Sequence, residues 1–193
     1  MATSKEKLAP YKRKRDFAKT PEPAGKARSR RKPKELRFVV QRHRARNLHY
    51  DVRLEVDGVL VSWAVPKGPT QAPGVRRGAY HVEDHPMEYI DFEGVIPSGE
   101  YGGGDVIVWD TGTWEPQETD DAAKAIAAGE LHADLHGEKL RGRFVFVRTR
   151  ADDWILLHKR DEYAETGWDP EKHPRSVLSG RTNEEIAAGI VGA

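Results

Sequence analysis

The sequence predicts a mainly β fold: a small, closed or nearly closed barrel of short antiparallel strands, with two short helices and a basic N-terminal arm. Three observations support this prediction. Short runs rich in β-branched and aromatic residues follow one another closely from residue 35 onward. Only two stretches, 120–129 and 182–188, carry helix start and stop signals. The 193 residues are enough for one domain with its own core and a terminal arm.

The arm is assigned to residues 1–35, including a linker, and the barrel to residues 36–193. The aromatic residues Tyr11 and Phe17 predict that 12–23 packs on the barrel, because a freely solvated tail has little use for them. The stretch 25–34, rich in Gly, Arg and Lys, is predicted to be a mobile linker.

A β-hairpin is the clearest element of the barrel. The runs 48–56 and 59–65 are joined by Asp57-Gly58, a pair suited to a two-residue turn in which both residues have positive φ. Such a turn sets the pairing of the two strands. Three opposed pairs follow from it: Val56 with Val59, Arg53 with Ser62, and Asp51 with Ala64.

The remaining elements are predicted in chain order. A first strand at 35–41 precedes the hairpin, and a Pro/Gly/Arg loop at 66–78 follows it. Two short strands are expected on either side of Pro86, and then a Gly-rich loop within 96–104. That loop lacks the Lys-Ser/Thr ending of a nucleotide-binding P-loop. Further strands are expected at 105–110, 112–115, 131–136, 143–149 and 153–160.

One face of the first hairpin strand carries His49, Asp51, Arg53 and Glu55 in alternation, a pattern unusual for a merely solvated face. His43 lies six residues upstream, in a predicted Arg-rich loop. Two imidazoles and a carboxylate suit Mn²⁺, Zn²⁺ or Fe²⁺, and nearby arginines suit a phosphate. The small opposed residues Ser62 and Ala64 predict open space above this row. An exposed edge with a chance imidazole and an Arg–Asp pair is the alternative from spacing alone.

Composition limits the class of protein. Residues 1–35 hold 13 Lys and Arg against 4 Asp and Glu, a net of +9, so the remainder carries −8 of the total +1. A basic arm on an acidic body is a common way to reach nucleic-acid phosphates, although a solubilising tail is an alternative. The chain has no cysteine, which excludes disulfides and thiolate chemistry.

No apolar run approaches the length of a membrane span, and the first 16 residues lack a signal-peptide apolar segment. We therefore expect a cytoplasmic, nucleoid-associated protein. A monomer is expected because no heptad pattern or large apolar face stands out.

Long stretches of the chain resemble the phosphoesterase module of bacterial DNA ligase D. They are HRARNLHYDVRLEVDGVLVSWAVPKGP, VEDHPMEYIDFEGVIPSGEYGGGDVIVWD and the arm segments YKRKRDF, AKT and PEP. The resemblance implies a small β-barrel enzyme that trims DNA 3′ ends with Mn²⁺. Such an enzyme removes a terminal 3′-ribonucleoside to leave a 3′-phosphate, and then that phosphate to leave a 3′-hydroxyl. Expected partners are DNA primer-templates and the ligase, polymerase and end-binding proteins of end joining.

The resemblance also implies site residues. Metal ligands fall on His43, His49 and Asp51. Phosphate-contacting and catalytic residues fall on Arg53, His85 and Tyr89, with Lys67, Arg77 and Glu83 nearby. Functional residues of the arm fall on Arg15, Asp16 and Glu22.

These assignments suggest a mechanism. We expect Arg53, supported by Lys67, to neutralise transition-state charge, His85 to act as general acid or donor, and Tyr89 to donate a hydrogen bond. Asp16 and Glu22 are expected to orient Arg53 or a water on the metal. Two alternatives remain at this stage: a non-catalytic nucleic-acid-binding barrel, and a non-haem Fe(II) oxygenase, which also uses two imidazoles and a carboxylate.

Overall fold

A computed structural model describes residues 2–26 and 33–191 of the chain. Its nine strands are β1 Leu36–Arg44, β2 Leu48–Val56, β3 Val59–Val65, β4 Arg77–Pro86, β5 Gly94–Ile96, β6 Gly104–Gln117, β7 Glu130–Gly137, β8 Arg141–Arg150 and β9 Asp153–His158. Its α-helices are α1 Ser4–Lys7, α2 Ala9–Arg13, α3 Ala122–Ala128 and α4 Asn183–Ala187. Two 3₁₀ helices lie at Met87–Asp91 and Pro170–Lys172.

Eight of these strands close into an antiparallel barrel. The order is β1-β2-β3-β4-β9-β8-β7-β6, and β6 pairs back with β1, while β5 adds to β6 outside the ring. Closure leaves the main sheet without the unpaired edges that invite aggregation. The predicted mainly β barrel is thus confirmed.

The hairpin forms as its sequence predicts. Val56 faces Val59, Arg53 faces Ser62 and Asp51 faces Ala64. Asp57 and Gly58 have φ values of 50° and 81°, as the two-residue turn requires.

Several element boundaries differ from the prediction. β1 runs on to Arg44, because it pairs with β2 on one side and β6 on the other, so His43 lies in a strand and not in a loop. The segment after Pro86 is a 3₁₀ helix and not a second strand. The two strands predicted at 105–115 are one, β6. Two short helices, α1 and α2, were missed in the arm.

Hydrophobic residues pack on both sides of the barrel wall. Inward-facing residues of all eight strands fill the interior, with Trp63, Trp109 and Trp114 among the largest. A second, smaller cluster lies outside the wall, where Val39, Leu60 and Val108 point away from the interior. It is covered by Tyr11 of the arm and by the 3₁₀ segment around Tyr89.

The arm is therefore attached to the outer face of the barrel. Tyr11 is fully buried, and its hydroxyl donates to the carbonyl of Pro23, which closes residues 11–23 into a compact loop. Tyr11 of this loop packs with Leu60 of β3 and against the His85 ring of β4. Of the predicted linker, residues 27–32 lie outside the part of the chain that the structure describes. No helix in the described residues is long and apolar enough to span a bilayer.

Candidate metal and phosphate site

Three metal-binding side chains converge on the outer face of β1 and β2. Within the described residues, His43, His49 and Asp51 form the one group of three or more such side chains, with ligand atoms within 4.8 Å of one another. His43 and His49 are opposed across the two strands, and Asp51 follows on the same face as His49. The period-two alternation of a strand and the register of the barrel therefore build the group.

Backbone carbonyls determine which nitrogen of each imidazole is free. The His43 Nε2 donates to the Gly102 carbonyl at 2.7 Å, and the His49 Nδ1 donates to the Asn47 carbonyl at 3.0 Å. The remaining nitrogens face the Asp51 Oδ2, at 3.6 Å for His43 and 3.4 Å for His49. Either a proton on the ring or a metal ion must lie between these nitrogens and the carboxylate oxygen, and hydrogen bonds from the outer ring nitrogens to carbonyls are typical of imidazoles that bind a metal.

The charges at this point favour an ionised carboxylate. Burial by itself would raise the pKa of Asp51, but the Arg53 guanidinium and hydrogen bonds from His43 and His49 hold the pKa well below its usual range. Burial would likewise lower the pKa of His49, yet the Asp51 carboxylate outweighs it and raises that pKa. The donor set thus fits a divalent ion with borderline nitrogen and oxygen preferences.

Arg53 lies beside this group in the same outward row and is almost completely buried. Its Nη2 lies 3.2 Å from the Asp51 Oδ2, and its Nε donates to the Gln41 Oε1 at 2.7 Å. The Tyr89 ring covers the guanidinium at 5.0 Å. Its Nη1 is buried without a hydrogen-bond partner among the described residues. Because an unsatisfied buried donor is costly, this nitrogen marks a place for an anionic ligand.

His85 and Arg15 form the other side of the site. The His85 Nδ1 donates to the Glu83 carbonyl at 2.9 Å, so the Nε2 lone pair faces the Arg15 Nη2 at 3.4 Å. Burial and the charges of Arg53 and Arg15 hold the pKa of His85 well below its usual range. In the free protein His85 is therefore neutral and carries no proton on Nε2, so it is not a ready general acid.

Glu22 links the arm to the barrel beneath this site. Its carboxylate accepts from the Arg15 Nε at 2.9 Å and from the Tyr89 hydroxyl at 2.7 Å. Burial and Glu22 raise the pKa of Tyr89 well above its ordinary value, so the phenol keeps its proton. That proton is directed at Glu22 and not outward to a ligand. Glu22 therefore orients Arg15 and Tyr89, and not Arg53 as the sequence suggested.

The other predicted residues lie farther out. Glu83 pairs with Lys14 at 3.1 Å and with Arg15 at 3.5 Å. Asp16 is exposed, and its carboxylate accepts from the Ala18 amide, so it shapes a turn of the arm and does not contact Arg53. Within the described residues, no ion pair joins Lys67 or Arg77 to this group. Lys67 is exposed in the turn after β3, and Arg77 begins β4.

The arginines next to His43 do not serve the site, contrary to prediction. Arg42 donates to Glu171 at 2.7 Å, and Arg44 pairs with Asp105 at 2.8 Å and Glu184 at 2.9 Å. These pairs tie the C-terminal segment to the barrel. The expected open space above Ser62 is also filled, since Ser62 and Arg53 are both buried in the outer cluster.

Gln41 was missed by the sequence analysis. Besides accepting from Arg53, its amide nitrogen donates to the carbonyls of Tyr89 at 2.9 Å and Phe92 at 3.0 Å. Its position two residues before His43 places it on the same outward face. This relationship was available from the sequence once β1 was extended to Arg44.

Two imidazoles and a carboxylate beside a buried, unsatisfied guanidinium are the arrangement that metal-assisted phosphate chemistry requires. Comparison with known proteins agrees. Residues 41–148 match the family model described as the DNA Ligase D 3′-phosphoesterase domain. The chain therefore belongs to this family, and the resemblance noted in its sequence is confirmed.

Curated relatives are similar along most of this chain. The multifunctional non-homologous end joining protein LigD of Pseudomonas aeruginosa is 50% identical over an alignment of 186 residues that covers 93% of this chain and 22% of that protein. The protein of the same name from Mycolicibacterium smegmatis is 44% identical over 170 residues, 81% of this chain and 21% of that protein. The multifunctional non-homologous end joining DNA repair protein LigD of Mycobacterium tuberculosis is 48% identical over 160 residues. The chain thus spans about a fifth of the length of these relatives.

Proposed function

We propose that the chain is a metal-dependent hydrolase that processes DNA 3′ ends during end joining. It removes a 3′-terminal ribonucleoside as a phosphodiesterase and then the 3′-phosphate as a phosphomonoesterase, leaving a 3′-hydroxyl. The observation that carries the proposal concerns Arg53, whose buried Nη1 has no hydrogen-bond partner among the described residues. The Nη2 of the same side chain lies 3.2 Å from the Asp51 carboxylate, which is flanked by two imidazoles. The family match supports the reaction class, and the names of the relatives support a role in end joining.

His43, His49 and Asp51 would hold the metal. We propose Mn²⁺, which the family resemblance implies and which two imidazoles and one carboxylate can bind. A divalent ion there supplies Lewis-acid polarisation of a phosphate oxygen and favours ionisation of water. The carbonyls of Gly102 and Asn47 fix both rings in the tautomer that leaves the ligand nitrogens free.

Arg53 and Arg15 bind the phosphate. Arg53 is held in place by Gln41 and Asp51 before substrate arrives, so no reorganisation is needed when charge develops on the phosphate oxygens. Arg15 is held in the same way by Glu22. Both guanidiniums remain charged in all ordinary conditions, which suits an anionic substrate.

His85 is neutral in the free protein because burial and the two guanidiniums that face it lower its pKa. A bound phosphate brings negative charge that opposes them, so the His85 pKa rises only when substrate is present. The imidazole then takes a proton at Nε2 and transfers it to the oxygen of the leaving group. In this way the expected general-acid role is kept, but it depends on substrate binding.

Two DNA substrates test the proposal: a 5′-labelled primer-template with one 3′-terminal ribonucleotide, and the same duplex with a 3′-phosphate. Each is incubated with Mn²⁺ or with EDTA. We expect shortening to a 3′-phosphate followed by a 3′-hydroxyl, with both reactions abolished by EDTA and by His49→Ala. His132→Ala is the matched control, because His132 also pairs with carboxylates, Glu118 and Glu130, but lies on β7 away from the site.

Unchanged ends with Mn²⁺, together with binding that survives EDTA, would instead identify a binding module. Activity that requires O₂ would indicate the iron-dependent alternative, since Fe(II) shares this ligand set. Because the chain matches only about a fifth of its multifunctional relatives, we propose that a ligase and a polymerase use its 3′-hydroxyl product.

A further inference from the structure

Tyr101 lies on the rim of the site and has no role in the mechanism above. It belongs to the Gly-rich loop before β6, and 47% of its surface is exposed, which is unusual for an aromatic side chain beside a buried site. The next residue, Gly102, accepts the hydrogen bond from His43. The tyrosine is therefore one residue away from the outer support of a metal-binding imidazole.

Two cations of the arm lie close to this ring. The Arg15 guanidinium carbon lies 5.2 Å from the ring centre, and the Lys14 Nζ lies 4.9 Å from it and 3.3 Å from the hydroxyl. Arg15 is the same residue that contacts the His85 Nε2 at 3.4 Å. The Tyr101 ring thus lies between the part of the site at His43 and the part at Arg15 and His85.

The loop has a defined backbone position. A Cβ on Gly104 would lie 2.0 Å from the Arg44 carbonyl oxygen, so only glycine allows this close approach to the end of β1. A half-exposed ring on an anchored loop presents a flat surface with little conformational freedom to lose. That is the property of an aromatic stacking platform for a nucleobase.

The surrounding charge indicates which base would stack. Lys12, Arg13 and Lys14 are consecutive and exposed, and Lys14 contacts the Tyr101 ring. A strand that continues away from the site brings one phosphate for each nucleotide, whereas the terminal ribonucleoside that is removed brings none. The basic run therefore favours the retained strand.

We propose that Tyr101 stacks on the base of the nucleotide that retains the 3′-phosphate and so positions the strand end over Arg53. This inference rests on the proposed function and adds a substrate-positioning residue to it. A tyrosine that merely clamped the arm is the competing explanation, because Lys14 and Arg15 both contact the ring.

The test uses a 3′-phosphorylated DNA strand with 2-aminopurine at its last nucleotide, titrated with the full chain in EDTA so that no turnover occurs. Stacking on wild-type protein should quench the fluorescence. We expect Tyr101→Leu to lose the quench and about 5- to 150-fold in affinity, the range measured for base–aromatic stacks. Tyr101→Phe should behave like wild type, and Tyr163→Leu, an exposed tyrosine in the loop after β9, is the control.

Inorganic phosphate distinguishes base stacking on Tyr101 from support of the arm by Tyr101, because it has no base. Its inhibition constant against the 3′-phosphate reaction should be the same for Tyr101→Leu and wild type. A weakened phosphate constant would show a displaced arm and overturn the proposal, as would equal losses in Tyr101→Phe and Tyr101→Leu. A loss confined to the ribonucleotide-ended substrate would also overturn it. If wild-type protein processes neither DNA end, the proposed function itself is wrong, which is a different outcome from a failure of the stacking proposal alone.

Discussion

Arg53 and Gln41 form a buried pair across the outer faces of β2 and β1, in which the Arg53 Nε donates to the Gln41 Oε1 at 2.7 Å. The Gln41 amide nitrogen donates in turn to two carbonyls of the segment around Tyr89. A single amide thus fixes the guanidinium and attaches the segment that covers it. The orientation of the free Nη1 of Arg53 depends on this pair.

Gln41→Leu should therefore reduce activity, although Gln41 is not itself proposed to bind the phosphate. It leaves the Arg53 Nε and the Phe92 carbonyl unsatisfied and removes one of the two donors to the Tyr89 carbonyl. A shift of about 1 Å in a positioned group costs on the order of 10²-fold in rate. The check is kcat on the 3′-phosphate substrate.

Gln71→Leu is the matched control, because Gln71 is a buried amide that bridges the Tyr163 carbonyl and the Arg141 amide away from the site. Both variants should lose about 1–3 kcal/mol of unfolding free energy for each unsatisfied group. Equal loss of kcat in the two would show that Gln41 acts through general stability only.

Arg53→Lys should lower kcat by about 10²–10³-fold although it keeps the positive charge. Lysine cannot donate to Gln41, approach Asp51 and present a free nitrogen at the same time, because it lacks the planar fork. The measurement is single-turnover hydrolysis with saturating Mn²⁺. Arg143→Lys, at a strand-to-strand pair with Asp134 on the far side of the barrel, should leave the rate unchanged. A near-normal rate in Arg53→Lys would contradict the bidentate role.

Glu22→Gln should destabilise the protein and detach the arm from the site. Glu22 is buried, and its Oε1 lies 2.9 Å from the Nε of Arg15, whose charge it neutralises. Removing one partner of a buried ion pair costs about 3–5 kcal/mol. We expect the lower end, because Arg15 retains Glu83 at 3.5 Å. Denaturant unfolding gives the free energy. Glu6→Gln, an exposed residue of α1, is the control, and equal stability of the two variants would argue against a structural role for Glu22.

His85 should make the protein less stable as the pH falls below neutrality. Its folded pKa is depressed by burial and by Arg53 and Arg15, whereas unfolded histidine titrates near 6.5. Its contribution is thus complete above the unfolded pKa and is lost as the pH falls towards the folded pKa. The unfolded chain takes up one extra proton there, so the slope is at most about 1.4 kcal/mol per pH unit.

His85→Asn keeps a donor for the Glu83 carbonyl and cannot titrate, so its stability should fall less steeply between pH 7 and 5, a range that brackets the unfolded pKa. Denaturant unfolding at each pH measures the difference. Parallel curves for wild type and variant would contradict the depressed pKa. In the same protein, phosphate should raise the His85 pKa in an NMR titration, because its charge opposes the two arginines.

The metal-binding group could be predicted from sequence because it depends on short-range geometry. Alternation along β2 places His49, Asp51 and Arg53 on one face, and a two-residue turn sets their partners. The phosphate side could not be predicted from that geometry. His85 reaches the same face through an irregularity between Leu60 and Ser62 in the pairing of β3 with β4, and the family resemblance supplied it instead.

The neighbouring arginines show the limit of composition as a guide. Arg42 and Arg44 flank His43, but the alternation of β1 turns them away from it, and acidic residues of later segments neutralise both. Arg15, about 40 residues before Arg53 in the sequence, lies beside His85 instead. A position next to His43 in the sequence was thus a poor guide to which arginine lies at the site.

By itself the sequence determined the β-barrel class, the register of the hairpin and the shared outward face of His49, Asp51 and Arg53, since the last two follow from alternation and turn chemistry over a few residues. Only the tertiary structure decided that Glu22 joins Tyr89 across 67 residues, that Gln41 holds Arg53, and that His85 is neutral. The physical reason is that these properties come from burial. They exist only where the arm and the 3₁₀ segment cover the outer face of the barrel and exclude water from the charges between them.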